Sequence, residues 1–261
     1  MRRKNLIKSF DVFLRRLGLN VRLIASYRHL LRYLSELKKW RKLGGDVTNI
    51  FMVLSDYGDG AGTARGHYFH QDLLVARFIH ADNPQRHVDV GSRVDGFVAH
   101  VAAFRKIEVI DIRPLKPSEH KSIVFTQADL MESQEIGLSD SVSCLHALEH
   151  FGLGRYSDDV DPEGHIKGLD NLVALVADQG KLYIGVPIGK RDEVHFNAHR
   201  VFDPRSLPEL VCKDNRMKLL RFDFVDDLGA LFQDARLEDA IGAVEYGCGI
   251  YTFEKVCQYA A

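Results

Sequence analysis

The sequence predicts an α/β fold in which an open, mostly parallel sheet carries helices on both faces. Two observations point to it. The first is the stretch Arg86-His-Val-Asp-Val-Gly-Ser-Arg-Val-Asp-Gly-Phe97, followed at Val109-Ile-Asp-Ile-Arg113 by a second apolar run. It reads as a strand, a glycine turn, a helix and a second strand, with Asp111 at the second strand's tip. Such a unit binds the ribose of a nucleotide-like cofactor, because a carboxylate at that tip accepts both ribose hydroxyls. The second observation is the alternation of strand-like and helix-like segments from Arg86 onward, which implies a parallel sheet covered on both sides.

The elements follow in order. From Ile7 to Trp40 apolar residues recur at helical spacing, with Tyr27, Leu30, Leu31, Leu34 and Leu37 set among Arg28, Arg32, Lys38 and Lys39. Gly18 divides this stretch into two helices and Gly44-Gly45 ends it. Residues 1–45 therefore read as a basic helical arm and residues 46–261 as the main domain. Tyr57 to Gly66 is a glycine-rich connection without the Lys-Ser/Thr ending of a phosphate-binding loop. A helix runs from His67 to Ile79. Strands are expected near 87–90, 107–111, 123–126, 141–145 and 181–186, and helices near 95–104 and 165–177. Met217–Phe224 and Gly249–Val256 close a seven-stranded sheet, and the acidic segment from Asp226 to Glu245 reads as a helical insertion between them.

The chain has 261 residues, 46% of them hydrophobic and 27% charged, as expected of a soluble globular protein. Its net charge of −1 is unevenly spread. Positions 1–42 hold thirteen Lys or Arg against Asp11 and Glu36, so the remainder is acidic. An acidic body argues against nucleic acid as a partner, whereas a basic amphipathic arm suits an anionic membrane surface or packing on a second subunit. Cys144, Cys212, Cys248 and Cys257 show no C-x-x-C spacing, so they read as isolated buried thiols of a reducing cytoplasm. No apolar run reaches membrane-span length and the N-terminus lacks the features of a signal peptide.

Three nucleotide-type sites compete at the first turn. A nicotinamide site wants a second glycine where Arg93 stands. A P-loop wants Lys and Ser or Thr where Phe97 and Val98 follow Gly96. An S-adenosylmethionine site tolerates more variation. It asks for acids at the first and second strand ends, a glycine in the turn, an acid after strand three and a clamp after strand four. Asp89, Gly91, Asp111, Asp129 and the Leu145-His146 segment supply these in order, with Ile112 and Leu130 beside the second and third acids. Arg93 can pair with the cofactor's carboxylate or fill the pocket.

The segments YFHQDLLVA (68–76), HVDVGSRVDGFVAH (87–100), VIDIRPL (109–115), SCLHALEHFGLGRY (143–156) and FNAHRVF (196–202) together resemble the domain-of-unknown-function family 268. The resemblance implies a Rossmann-like class I S-adenosylmethionine-dependent methyltransferase fold over residues 50–256. It also implies a setting among bacterial surface-polysaccharide genes, hence a glycan or nucleotide-sugar acceptor.

His146-Ala-Leu-Glu-His150 matches the H-x-x-E-H zinc motif, but His146 falls at a strand tip rather than one helical turn before His150. No metal is therefore expected, and a metal-dependent hydrolase remains a rival reading. Beside a methyl-donor site, His146 would touch cofactor, while Glu149 and His150 would face substrate. The loop from Phe151 to Gly164 offers Arg155 for an anion and Tyr156 for stacking on a sugar. Asn197, His199 and Arg200 follow strand five on the same sheet edge. His199, or else His150, is the candidate base, since imidazole titrates near neutral pH.

These readings converge on S-adenosylmethionine-dependent O-methylation, in the cytoplasm or at the inner face of the membrane. The rival is a scaffold that kept the fold and lost the chemistry. For the arm, residues 1–42 should raise affinity for anionic liposomes, and added salt should weaken it. Equal sedimentation of full-length and truncated protein would refute this and leave the arm as a packing element.

Overall fold

A computed structural model describes residues 21–132 and 136–257. The chain divides into two compact units, with the boundary between Thr63 and Ala64. In the first, helix α1 spans Val21–Ser26 and α2 spans Leu30–Lys42. The stretch from Ile7 through Gly18, read as the first arm helix, lies outside the described residues. No residue of α2 is buried, and Leu31, Leu34 and Trp40 are exposed. Tyr57 ties the connection to the helix: its hydroxyl donates to Glu36, and the Arg32 guanidinium lies 4.3 Å from its ring centre. The helix stops at Lys42, and Gly44 follows in a left-handed conformation (φ 84°).

The second unit opens with helix α3 (His67–Asp82), then strands β1 (His87–Val90), β2 (Ile107–Asp111), β3 (Ile123–Gln127), β4 (Ser139–Leu145) and β5 (Val176–Ile188). Short helix α4 (Ala99–Ala102) precedes β2 and α5 (Gly164–Leu175) precedes β5. After β5 come the hairpin β6 (Glu193–His195) and β7 (His199–Val201), α6 (Ser206–Val211), β8 (Met217–Val225), β9 (Leu231–Phe232), α7 (Leu237–Ala240) and β10 (Gly247–Lys255). The sheet order is β3-β2-β1-β4-β5-β10-β8-β9. The first five strands are parallel, and β10 enters antiparallel between β5 and β8. All four residues of β1 and nearly all of β4 are buried, as befits strands covered on both faces. One face packs under α5 and α6 through Leu172, Val173 and Leu207, and the other under α3 through Val75 and Ile79.

The structure corrects the sequence reading in several places. The sheet has eight strands rather than seven, because a tight turn at Gly229 (φ 79°) folds Leu231–Phe232 back onto β8. The segment 226–245 holds only the four residues of α7 as helix. Its aspartates divert backbone donors instead: Asp226 accepts from the amides of Leu228 and Ala230, and Asp227 from those of Glu245 and Tyr246. The expected helix over 95–104 is broken at Gly96 (φ −123°, ψ −105°), where a Cβ would lie 2.6 Å from Asp72 Oδ2. Of the four cysteines, Cys144 and Cys248 are buried, while Cys212 and Cys257 are partly exposed.

A buried polar chain joins β1 to β4. Ser141 donates to His87 Nδ1 (2.8 Å), His87 Nε2 donates to Ser143 Oγ (3.2 Å) and Ser143 donates to Asp89 Oδ1 (2.5 Å). The Ser92 hydroxyl donates to the same Asp89 oxygen (2.6 Å) and accepts from the Leu145 amide (3.1 Å). This pattern requires His87 neutral with its proton on Nε2. Full burial pushes the Asp89 carboxyl up to about 7 and the His87 imidazole down to about 3.

The two shifts oppose each other. Asp89 contributes stability at low pH that is lost as pH rises from about 4 to 7; His87 contributes stability at neutral pH that is lost as pH falls from about 6.5 to 3. Asp89→Asn removes only the first. Guanidinium titrations should show the variant gaining on the parent by about 3–4 kcal/mol between pH 4 and 7. A pH-independent difference would refute the raised pKa of Asp89.

Candidate functional site

A cavity of about 620 Å³ opens at the carboxyl ends of the parallel strands. It lies where the sheet order reverses between β1 and β4, the crevice in which open α/β sheets bind ligands. Its volume is within the range of small-molecule sites.

One end is built on the β1 turn. Gly91 has φ 71°, its amide donates to the Ile110 carbonyl (2.8 Å), and a Cβ there would sit 2.7 Å from the Ala147 Cβ. Only glycine fits both the left-handed backbone and the close approach of the β4 tip. Asp111 ends β2 and is held by Arg113, which donates to Oδ1 through its amide (2.8 Å) and Nε (2.9 Å), and to Oδ2 through its guanidinium. That guanidinium also lies 4.5 Å from the Tyr156 ring centre, with Arg155 at 5.2 Å. Arg93 bonds Asp95 and lies 4.9 Å from the Tyr68 ring centre, at the cavity's edge. Ile112, Asp129 and Leu130 complete this wall.

The other end is built on the β4 tip. His146 has a positive φ of 50°, uncommon outside glycine, and its amide is anchored on the Gly185 carbonyl (2.8 Å). Its Nδ1 donates to Glu149 Oε1 (2.8 Å), and His150 Nε2 lies 3.7 Å from the same oxygen. Among the described residues, Glu149 Oε2, His146 Nε2 and His199 Nε2 are buried without a hydrogen-bond partner. Burial opposes charge on His146, yet Cys248 and Glu149 beside it hold its pKa well above the usual value. His150 donates from Nδ1 to the Ala198 carbonyl (2.7 Å), which leaves Nε2 as its basic nitrogen. Burial lowers the pKa of His150, and burial together with His195 lowers that of His199.

The cavity thus gathers Gly91, Arg93, Asp111, Ile112, Asp129, Leu130, His146, Glu149, His150, Arg155, Tyr156 and His199. Asp89, Asn197 and Arg200 lie outside its lining. Asp89 is wholly buried below the turn, with both oxygens taken by Ser143 and Ser92. Asn197 is exposed at the tip of the β6–β7 hairpin. Arg200 is buried and donates to the carbonyls of Phe151 (2.6 Å) and Pro162 (3.2 Å), so it pins the 151–164 loop from within. The residues between His146 and His150 form a 3-10 turn, Leu148–His150, as the strand-tip placement required. His67, Tyr68, Arg113, Met131 and Tyr246 also line the cavity. His67 and Tyr68 were visible as polar aromatics opening a helix. Tyr246 had no local signal, because only sheet closure brings β10 beside β5.

The fold is that of the class I S-adenosylmethionine-dependent methyltransferases. The N-methyltransferase NodS of Bradyrhizobium japonicum WM9 in complex with S-adenosyl-L-homocysteine superposes with a TM-score of 0.50. Its identity is 14%, over 73% of this chain and 88% of that one. The 1,6-didemethyltoxoflavin-N1-methyltransferase of Burkholderia thailandensis, bound to 1,6-didemethyltoxoflavin and S-adenosylhomocysteine, gives 0.51 at 16% identity, over 72% and 79%. Residues 121–217 match the family described as "Caenorhabditis protein of unknown function, DUF268", the family that the sequence segments resemble. No curated protein matches the chain. Among the described residues, no helix is long and apolar enough to cross a membrane.

Proposed function

We propose that the protein is an S-adenosylmethionine-dependent methyltransferase. Its acceptor is a hydroxyl of a glycan or nucleotide sugar in surface-polysaccharide biosynthesis, and its basic arm rests on an anionic membrane. The observation that carries the methyltransferase reading is the cavity at the β1/β4 switch point, bounded by the Gly91 turn and the Asp111 tip. The acceptor class rests on the family resemblance alone.

The residues present fit the cofactor. Gly91 leaves room for close backbone approach, and Asp111 is the acceptor for ribose hydroxyls once Arg113 turns aside. Arg93, half-exposed at the edge and paired with Asp95, would exchange that surface partner for the cofactor's carboxylate. When bound, the cofactor supplies a methyl group activated on a sulfonium. Tyr156 and Arg155 offer a stacking face and a cation to the acceptor. His199, its pKa lowered by burial and its Nε2 without a partner among the described residues, would take the proton that the acceptor hydroxyl gives up. Glu149 and His150 fix the geometry, and most of the rate enhancement comes from that positioning.

A second reading has one observation in its favour. The Arg113–Asp111 pair occupies the carboxylate a ribose would need, as in a protein that kept the fold and lost the cofactor. Calorimetry with S-adenosylhomocysteine decides between the two: binding supports the enzyme, and its absence the scaffold.

Asp111→Ala should weaken that binding by about 1.5–3 kcal/mol, the scale of a charged hydrogen bond left unmade. Unchanged affinity would remove Asp111 from the site. His199→Ala should bind cofactor normally yet lose about 10²–10⁴ in turnover. Because its folded pKa is depressed, the acid limb of kcat in the parent should fall below pH 6.5. Near-native turnover in the variant, or an acid limb above pH 6.5, would take the base role from His199.

A further inference from the structure

The geometry points to a zinc site at the β4 tip, formed by His67, His146 and Cys248. These residues come from the start of α3, the end of β4 and the start of β10. One ligand atom from each lies within 4.8 Å of the others. A tetrahedral zinc ion with bonds of about 2.0–2.3 Å needs ligand atoms about 3.3–3.6 Å apart, so a contraction of about 1 Å closes the site.

Three further observations support it. His146 Nε2 is buried beside Cys248 and has no hydrogen-bond partner among the described residues. His146 Nδ1 donates to Glu149 Oε1 (2.8 Å), the carboxylate–histidine arrangement that fixes a metal-binding imidazole and raises its basicity. The Cys248 thiol makes long contacts to Gln71 Oε1 (3.6 Å) and to the carbonyl of its neighbour Gly249 (3.8 Å). Two imidazoles and a thiolate suit zinc and exclude magnesium and calcium, which want oxygen ligands.

Both imidazoles border the cavity, so the fourth coordination position opens into it. It would take water or an oxygen or sulfur donor of the acceptor, and zinc there would lower that group's pKa. The site involves neither Asp111 nor the Gly91 turn, so it does not rest on the methyltransferase reading.

The test uses the full-length chain, stripped with a chelator. Equilibrium dialysis against zinc should return one ion per chain. Cobalt(II) in its place should give a thiolate charge-transfer band, absent in Cys248→Ser. Glu149→Gln should weaken zinc binding about 10–100-fold, and His67→Ala by more. His67 is partly exposed, so its variant should fold, which circular dichroism checks. Sub-stoichiometric zinc, a cobalt–thiolate band that persists in Cys248→Ser, or parental affinity in folded His67→Ala would each overturn the site. S-adenosylhomocysteine calorimetry on the same samples reports the cofactor reading separately.

Discussion

The site depends on the buried hydrogen-bonded chain that runs from Ser141 through His87, Ser143 and Asp89 to Ser92 and the Leu145 amide. It crosses between the two central strands just below the point where the sheet order reverses. Ser92 is one residue beyond Gly91, and Leu145 is one residue before His146. The chain therefore sets the distance between the two walls of the cavity. A polar path of this kind is worthwhile only when every member is satisfied, because an unmade bond in the interior costs more than a made one contributes. Here each hydroxyl donates once, and the one carboxylate collects two hydroxyls and an amide.

Much of the fold was legible because both faces of the sheet are covered, which turns strands into short apolar runs with sharp ends. The boundaries of β1 and β2 fell where the runs did. What escaped was built by side chains acting on the backbone. The aspartates at 226 and 227 look like helix formers by charge, yet they accept amides and make turns. β9 exists only because that turn returns two residues to an open edge. For the site, residues at strand tips were readable from order alone. Residues such as Tyr246 and Cys248 arrive through β10, whose insertion between β5 and β8 has no sequence periodicity.

Charge alone misplaced two residues. Asp89 and Arg200 are ionisable groups in site-like positions, and both face inward. Arg200 is satisfied by backbone carbonyls rather than by an acid, so burial lowers its pKa while Asp161 and Asp158 nearby oppose the shift. The long polar loop from Phe151 to Gly164 is thus held at both ends of its arc. His150 and Arg155 bind the Ala198 carbonyl of the β6–β7 hairpin, and Arg200 reaches back from that hairpin into the loop. Loop and hairpin form one interlocked wall, which lets them carry directed side chains despite their irregular backbone.

Glu149 unites the two sides of that wall. Its Oε1 accepts a hydrogen bond from His146 Nδ1 and lies near His150, and its Oε2 has no hydrogen-bond partner among the described residues. A carboxylate this buried is tolerated only beside positive charge or strong donors. The protein supplies one such donor in His146, and Glu149 joins Cys248 in driving that imidazole toward its charged form against the cost of burial. Either a proton or a metal ion on His146 meets the same electrostatic need. Glu149 therefore links the ionisation of the β4 tip to the orientation of His150, and through His150 to the hairpin that carries His199.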